Sequence, residues 1–240
     1  MIRPSTSVDI VDGDHVLKAG RRLLWRVART LGNAGARWSW NDQFRKGYWG
    51  GLQYRRRTVV SLVEQLAGGG DIVEFGCGEG WLIGAVDPGV YRTYVGVDLS
   101  PVAIDVATRR ARQAGLVKCR FEVGRFEHWS GGPDPSLIIM DESLYYLKPR
   151  RQRRLLRRCL DRLDSSCRMV VTVHSATRHR STLEACRRAA VVEREVHDLE
   201  RVILTLRARN EFSLREKAQA TVATVRRVHR RRLGARTTVT

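Results

Sequence analysis

Residues 71–81, Asp-Ile-Val-Glu-Phe-Gly-Cys-Gly-Glu-Gly-Trp, constrain the fold more than any other stretch of the chain. The β-branched and aromatic residues of 71–75 predict a buried strand. Gly76, Gly78 and Gly80 then predict a turn whose backbone comes close to a ligand, followed by the start of a helix. A second strand, Thr93-Tyr94-Val95-Gly96-Val97, ends in Asp98, 24 residues after Glu74. In a doubly wound α/β fold, a carboxylate at that place lies over the ribose of a bound nucleoside. A glycine-rich turn alone says little, but the same turn between strand and helix, with an acid closing the next strand, points to a nucleotide-type site.

The rest of the pattern extends this start. A helix over about 57–66 leads into the first strand. Ser100 caps a helix that Pro101 opens and that runs to about Ala114. Residues 119–123, 137–140 and 169–173 read as further strands, and Leu155, Leu156, Cys159, Leu160 and Leu163 share one face of an arginine-studded helix. Strands alternating with helices imply a parallel sheet. The last two strands, about 191–196 and 201–208, stand too close for a helical crossover and should pair as a hairpin. The expected fold is therefore α/β: a doubly wound seven-stranded sheet, mostly parallel, with a C-terminal antiparallel hairpin. Upstream, apolar residues at helical spacing predict a helix over about 16–31, and residues 38–51 are rich in aromatics and turn formers. Beyond Glu211 a helix is expected to about Val228, overlapping the basic run 226–232 of a solvated tail.

Composition narrows the function. At 240 residues and 42% hydrophobic content the chain can bury one full core. No apolar run approaches the roughly 18 residues that span a bilayer, and the N-terminus shows no secretory segment, so a cytoplasmic protein is expected. Five cysteines at 77, 119, 159, 167 and 186 lack paired spacing and read as small buried hydrophobes in a reducing compartment. The net charge of +19 raises RNA as a partner. However, 39 of the 44 basic residues are arginine, which suits a solvated arginine-coated surface equally well.

The glycine spacing is G-x-G-x-G, preceded by Glu74, rather than the dinucleotide G-x-G-x-x-G, and no G-K-[ST] follows. As V-E-F-G-C-G-E-G it resembles motif I of the class I S-adenosylmethionine-dependent methyltransferases, and V-G-V-D-L-S-P-V-A-I (95–104) is similar to their motif II. The resemblance covers about residues 57–209. An N-terminal helical and aromatic cap segment (1–56) precedes it, and a basic C-terminal helix and tail (210–240) follows. It implies S-adenosyl-L-methionine as cofactor, contacted by Glu74, Gly76, Cys77, Gly78, Gly80, Asp98 and Leu99. Where the family carries Gly-Asp after the third strand, this chain has Gly124-Arg125. Arginine cannot accept the adenine hydrogen bond, so Glu127 is expected to substitute while Phe126 stacks on the purine.

After the fourth strand, Asp141-Glu142-Ser143-Leu144-Tyr145-Tyr146-Leu147 resembles an S-E-V-L-Y-Y-L element of the nodulation N-methyltransferases and their small-molecule relatives. Bacterial small-RNA methyltransferases carry metal-binding E-x-x-E-H there. Tyr145 and Tyr146 fill its last two positions, so no metal is expected. The resemblance thus implies methyl transfer to oxygen or nitrogen of a small-molecule acceptor in biosynthesis, with RNA methylation as the alternative. Oligomeric state stays open. His174 at the end of strand five and Glu142 or Asp141 at the end of strand four are the bases that the topology aims at the acceptor. Asp141 also counts toward the cofactor side. One of Tyr145 and Tyr146 packs in the core and one faces the pocket, and Tyr145 joins the catalytic candidates. The segment 38–54, with Gly47, Gly50 and Gly51 as hinges, is expected to order as a lid over the cofactor.

Overall fold

The computed structural model describes residues 13–49, 57–128, 135–162 and 166–209, with no account of side chains before Arg22. The expected C-terminal helix and tail, the last five residues of the lid segment (50–54) and Leu163 lie outside these residues.

Seven strands form one sheet in the order β3-β2-β1-β4-β5-β7-β6. They are β1 (Asp71–Phe75), β2 (Thr93–Asp98), β3 (Cys119–Val123), β4 (Leu137–Met140), β5 (Arg168–His174), β6 (Val191–Asp198) and β7 (Arg201–Arg207). The first five are parallel, and β7 runs antiparallel to both β5 and β6. The fold is the Rossmann-like sheet with an antiparallel C-terminal hairpin. Every residue of β1 and β4 is buried, because both faces of the sheet are covered. On one face Val73, Phe75, Ile138 and Met140 pack against α5 (Pro149–Leu160) and α6 (Arg180–Ala189). On the other, Ile72, Leu137 and Ile139 meet α3 (Arg57–Ala67) and the loop after β1. The sheet order reverses between β1 and β4, which opens a crevice at their carboxyl ends.

Two segments depart from the sequence reading. No α-helix follows motif I. The 17 residues between β1 and β2 hold only two single-turn 3-10 helices, Ile83–Ala85 and Pro88–Val90, where Gly84, Pro88 and Gly89 disfavour a longer helix. Before the sheet, α1 (Gly13–Thr30) occupies the expected helix, but a second helix, α2 (Gly32–Arg45), takes up residues 38–45 of the 38–54 segment assigned to a lid. Its three helix-weakening residues Asn33, Gly35 and Asn41 are outweighed by packing. Gly35 sits so close to Ala28 that a Cβ would meet the Ala28 carbonyl oxygen at 2.1 Å. Trp25 donates its indole N–H to Asp42 at 2.8 Å, locking the two helices together.

Gly96 in the middle of β2 shows how tightly the core is filled. A Cβ there would lie 2.8 Å from Cys77 Sγ, 2.9 Å from the Phe121 ring and 2.9 Å from the Tyr94 hydroxyl. Gly96→Ala is expected to lower stability by about 1–3 kcal/mol. In urea unfolding this appears as a lower midpoint at unchanged slope.

Candidate active site

A cavity of about 280 Å³ lies at the β1/β4 crevice. Its floor is the turn after β1, Asp98 and Leu99, and residues 125–127 and 141–143. The other wall comes from the α1–α2 pair through Arg29, Trp40 and Phe44, with Trp49 beyond them.

The turn is held by backbone geometry that only glycine adopts without strain. Gly76, Gly78 and Gly80 have φ of 80°, 53° and 71°. Gly76 donates its N–H to the Val97 carbonyl at 2.7 Å, and a Cβ on Gly76 would meet Ser143 Cβ at 2.5 Å. Ser143 in turn donates its hydroxyl to the Phe75 carbonyl at 2.6 Å, tying the end of β1 to the loop after β4. At Gly78 a Cβ would meet only the Phe44 ring, at 3.5 Å, so this position stays open toward the cavity. Asp98 accepts the Gly78 N–H at 3.0 Å and the Ser100 N–H at 2.8 Å. Burial pushes its carboxyl up to about 6 although the backbone N–H groups of Ser100, Gly78 and Leu99 favour the charged form. An open glycine beside a carboxylate anchored on backbone amides fits the ribose end of a nucleoside.

Phe126 stacks on Phe75 with ring centroids 5.8 Å apart and exposes its other side to the cavity. Glu127 accepts from Arg125 at 2.5 Å and from Arg151 at 3.3 Å, and Arg158 donates to its backbone carbonyl. Burial raises the Glu127 carboxyl, but these guanidinium contacts outweigh it and hold the group below the usual carboxylate range. Arg125 thus serves as the partner that positions Glu127.

At the end of β4 two acids share one anchor. Thr172 on β5, fully buried, donates its hydroxyl to Asp141 at 2.6 Å and accepts the Glu142 N–H at 2.7 Å. Glu142 has φ 51°, a left-handed backbone that a side-chain-bearing residue keeps only when its surroundings enforce it. Both acids line the cavity.

Comparison with known proteins agrees with this geometry. Residues 72–166 match a family described as a methyltransferase domain. Over 92 residues the chain is 30% identical to 2-heptyl-1-hydroxyquinolin-4(1H)-one methyltransferase of Mycobacteroides abscessus, a match covering 38% of this chain and 40% of that protein. The N-methyltransferase NodS of Bradyrhizobium japonicum, solved with S-adenosyl-L-homocysteine, superposes with TM-score 0.57 at 18% identity, over 67% of this chain and 89% of NodS. An O-methyltransferase of neocarzinostatin biosynthesis, solved with S-adenosyl-L-homocysteine and 1,4-dihydroxy-2-naphthoic acid, gives 0.55 at 16% identity, over 71% of this chain and 61% of that one.

The structure gathers Gly76, Cys77, Gly78, Asp98, Leu99, Phe126, Glu127, Asp141 and Glu142 on the cavity wall. Four expected residues stand elsewhere. Glu74 is fully buried inside β1 and accepts from the Tyr94 hydroxyl at 2.6 Å. Gly80 packs against Ala107 and Phe121 of the neighbouring elements. Tyr145 stacks on His179 at 4.1 Å, and it is Tyr146 that faces the cavity. His174 lies beyond the acids, because β5 extends three residues past its last pairing with β4 (Met140 with Val171). It stands 3.4 Å from Glu200 at the mouth of β7 instead. Motif reading missed Ser143, Thr172 and Arg29, whereas Trp40 and Phe44 belong to the 38–54 segment expected over the cofactor. Trp40 and Phe44 carried a signal, since their four-residue spacing places them on one helical face.

Asp98 gives a test of the site. A carboxyl raised by folding binds its proton more tightly in the folded state, so it contributes stability at low pH that is lost as pH rises from about 4 to 6. Ligand binding has the opposite sign, because the charged form is the better acceptor for Gly78 and for ribose hydroxyls. Affinity for S-adenosylhomocysteine, measured calorimetrically, is expected to fall by up to about tenfold per unit below pH 6. Asp98→Asn should weaken binding and flatten that profile.

Proposed function

We propose that this protein is an S-adenosylmethionine-dependent methyltransferase acting on oxygen or nitrogen of a small-molecule acceptor in biosynthesis, in a reducing cytoplasm. The observation that carries the reading is the open glycine turn anchored on Asp98, facing a pair of acids across one cavity. The named relatives methylate, or are solved with, small molecules. No helix among the described residues is long and apolar enough to cross a membrane, and none of the five cysteines forms a disulfide among them. A cavity of this size, walled by aromatic rings, suits a cofactor and a compact acceptor, and nothing in its lining favours RNA.

When bound, S-adenosylmethionine supplies a methyl already activated on a sulfonium. Gly76 to Gly78 would hold its amino-acid and ribose portions, Asp98 the ribose hydroxyls, Phe126 and Glu127 the adenine. The open turn and Asp98 fit that group. Glu142 stands at the acceptor end of the cavity as the group that removes the acceptor proton. Thr172 keeps it in place by accepting its backbone N–H, so the strained turn aims the carboxylate without cost at the moment of reaction. Asp141, held by the Thr172 hydroxyl, stays at the base of the site and supports the same turn. Trp40, Phe44 and Trp49 exclude water from the reacting centre.

Binding of S-adenosylhomocysteine to the purified chain tests the first half of the reading: no heat at high micromolar ligand would sink it. Gly78→Arg fills the open side of the turn and should abolish binding with an unchanged circular dichroism spectrum. Glu142→Gln should keep cofactor affinity and lower kcat by roughly 10²- to 10⁴-fold. Thr172→Val should lose part of kcat together with some stability, since two buried hydrogen bonds go at once.

A further inference from the structure

Among the described residues, Arg29 is the one cation on the α1–α2 wall of the cavity. Its guanidinium lies 5.2 Å from the Trp40 ring centre and 5.6 Å from that of Tyr146, and these two rings meet edge-to-face at 4.7 Å. Of the other lining cations, Arg125 and Arg151 both bond Glu127, and Lys148 is exposed at the start of α5. Arg29 is half-buried, and among the described residues no carboxylate or carbonyl accepts a hydrogen bond from it. Arginine presents five N–H donors in a planar fork matched to a carboxylate, and a partly desolvated fork without an acceptor is costly unless a ligand completes it. Burial, and to a lesser degree the neighbouring Arg26, push its pKa down, while Tyr146 works the other way. An anion would relieve that strain. Trp40 of the α1–α2 wall and Tyr146, from the single-turn helix after β4, add aromatic lining that favours a planar ring.

Resting on the methyltransferase reading, we propose that the acceptor is a planar aromatic molecule bearing a carboxylate, which pairs with Arg29 while the ring packs on Trp40 and Tyr146. Glu142 then stands across the cavity from Arg29, so the acidic group of the acceptor turns toward the α1–α2 wall. The group to be methylated turns toward the acids after β4. Arg29 would set both affinity for the acceptor and its orientation.

The test uses the full chain saturated with S-adenosylhomocysteine, titrated with kynurenate and with its neutral carboxamide. Wild type should bind the acid about tenfold or more tightly than the amide. Arg29→Gln should erase that preference, and Arg29→Lys should restore part of it. In both variants affinity for S-adenosylhomocysteine should stay within about threefold of wild type, which also reports that they fold. Arg29→Met, which keeps the stem against the two rings, is the second variant. Equal binding of acid and amide by wild type, a preference that survives in Arg29→Gln and Arg29→Met, or binding of neither probe would overturn the proposal. Failure of S-adenosylhomocysteine to bind wild type would instead overturn the methyltransferase reading on which it rests.

Discussion

One carboxylate holds the two halves of the cofactor crevice together. Asp98 ends β2, yet its oxygens bond the turn after β1 through Gly78 and the first turn of α4 (Pro101–Gln113) through Ser100. Ser100 also caps α4, accepting from Ala103 at 3.2 Å, and donates to Asn41 of α2 at 2.6 Å. The chain of bonds therefore runs from the glycine turn through Asp98 to α4 and on to the helix that walls the acceptor side. Removing the charge at Asp98 loosens backbone contacts as well as a ligand contact. Burying this carboxylate is tolerable only because backbone amides surround it.

A similar economy appears on the other side of the crevice. Thr172 is a single hydroxyl with one proton to give and lone pairs to receive, and it uses both on consecutive residues. Its donation fixes Asp141 and its acceptance fixes the left-handed Glu142. Ser143 completes the set by bonding back to Phe75. Three successive residues after β4 are thereby tied to β5 and β1, so their side chains reach the cavity from a backbone with little freedom to relax. Such preorganisation is what an acid that must meet a proton at one place requires.

Much of this was legible beforehand because the relevant signals are local. Continuous buried runs such as Leu-Ile-Ile-Met mark parallel strands, a short gap marks a hairpin, and glycines at alternate positions mark a turn that demands positive φ. Helix α2 was hidden because its residues have weak helix propensity and its stability comes from contacts to Trp25 and Ala28, 17 and 7 residues from their partners Asp42 and Gly35 along the chain. His174 and Tyr145 were misplaced for a geometric reason. Sequence gives the end of a strand but not how far it runs past its neighbour, nor which of two adjacent tyrosines turns inward from a single-turn 3-10 helix. Thr172 and Arg29 carried no signal at all, since their roles arise from elements that meet only in the folded chain.

The charge of the protein illustrates the same distinction between local and global information. A net +19 describes the whole chain, and among the described residues part of it lies on outer surfaces such as the exposed arginines of α5. The cavity is differently balanced. Its lining includes five carboxylates, Glu79, Asp98, Glu127, Asp141 and Glu142, against four cations, Arg29, Arg125, Lys148 and Arg151. Arg125 and Arg151 are spent on Glu127, and Glu79 lies 3.9 Å from Arg110 outside the lining. What acts on a ligand is therefore a short sequence of charges across the cavity: acids behind the turn and after β4, and one guanidinium on the opposite wall. Within a partly desolvated cavity this arrangement outweighs distant surface charge, which solvent and salt screen over about 10 Å. For the small acceptor proposed above, selection would rest on the position of these individual groups rather than on the arginine coat of the chain.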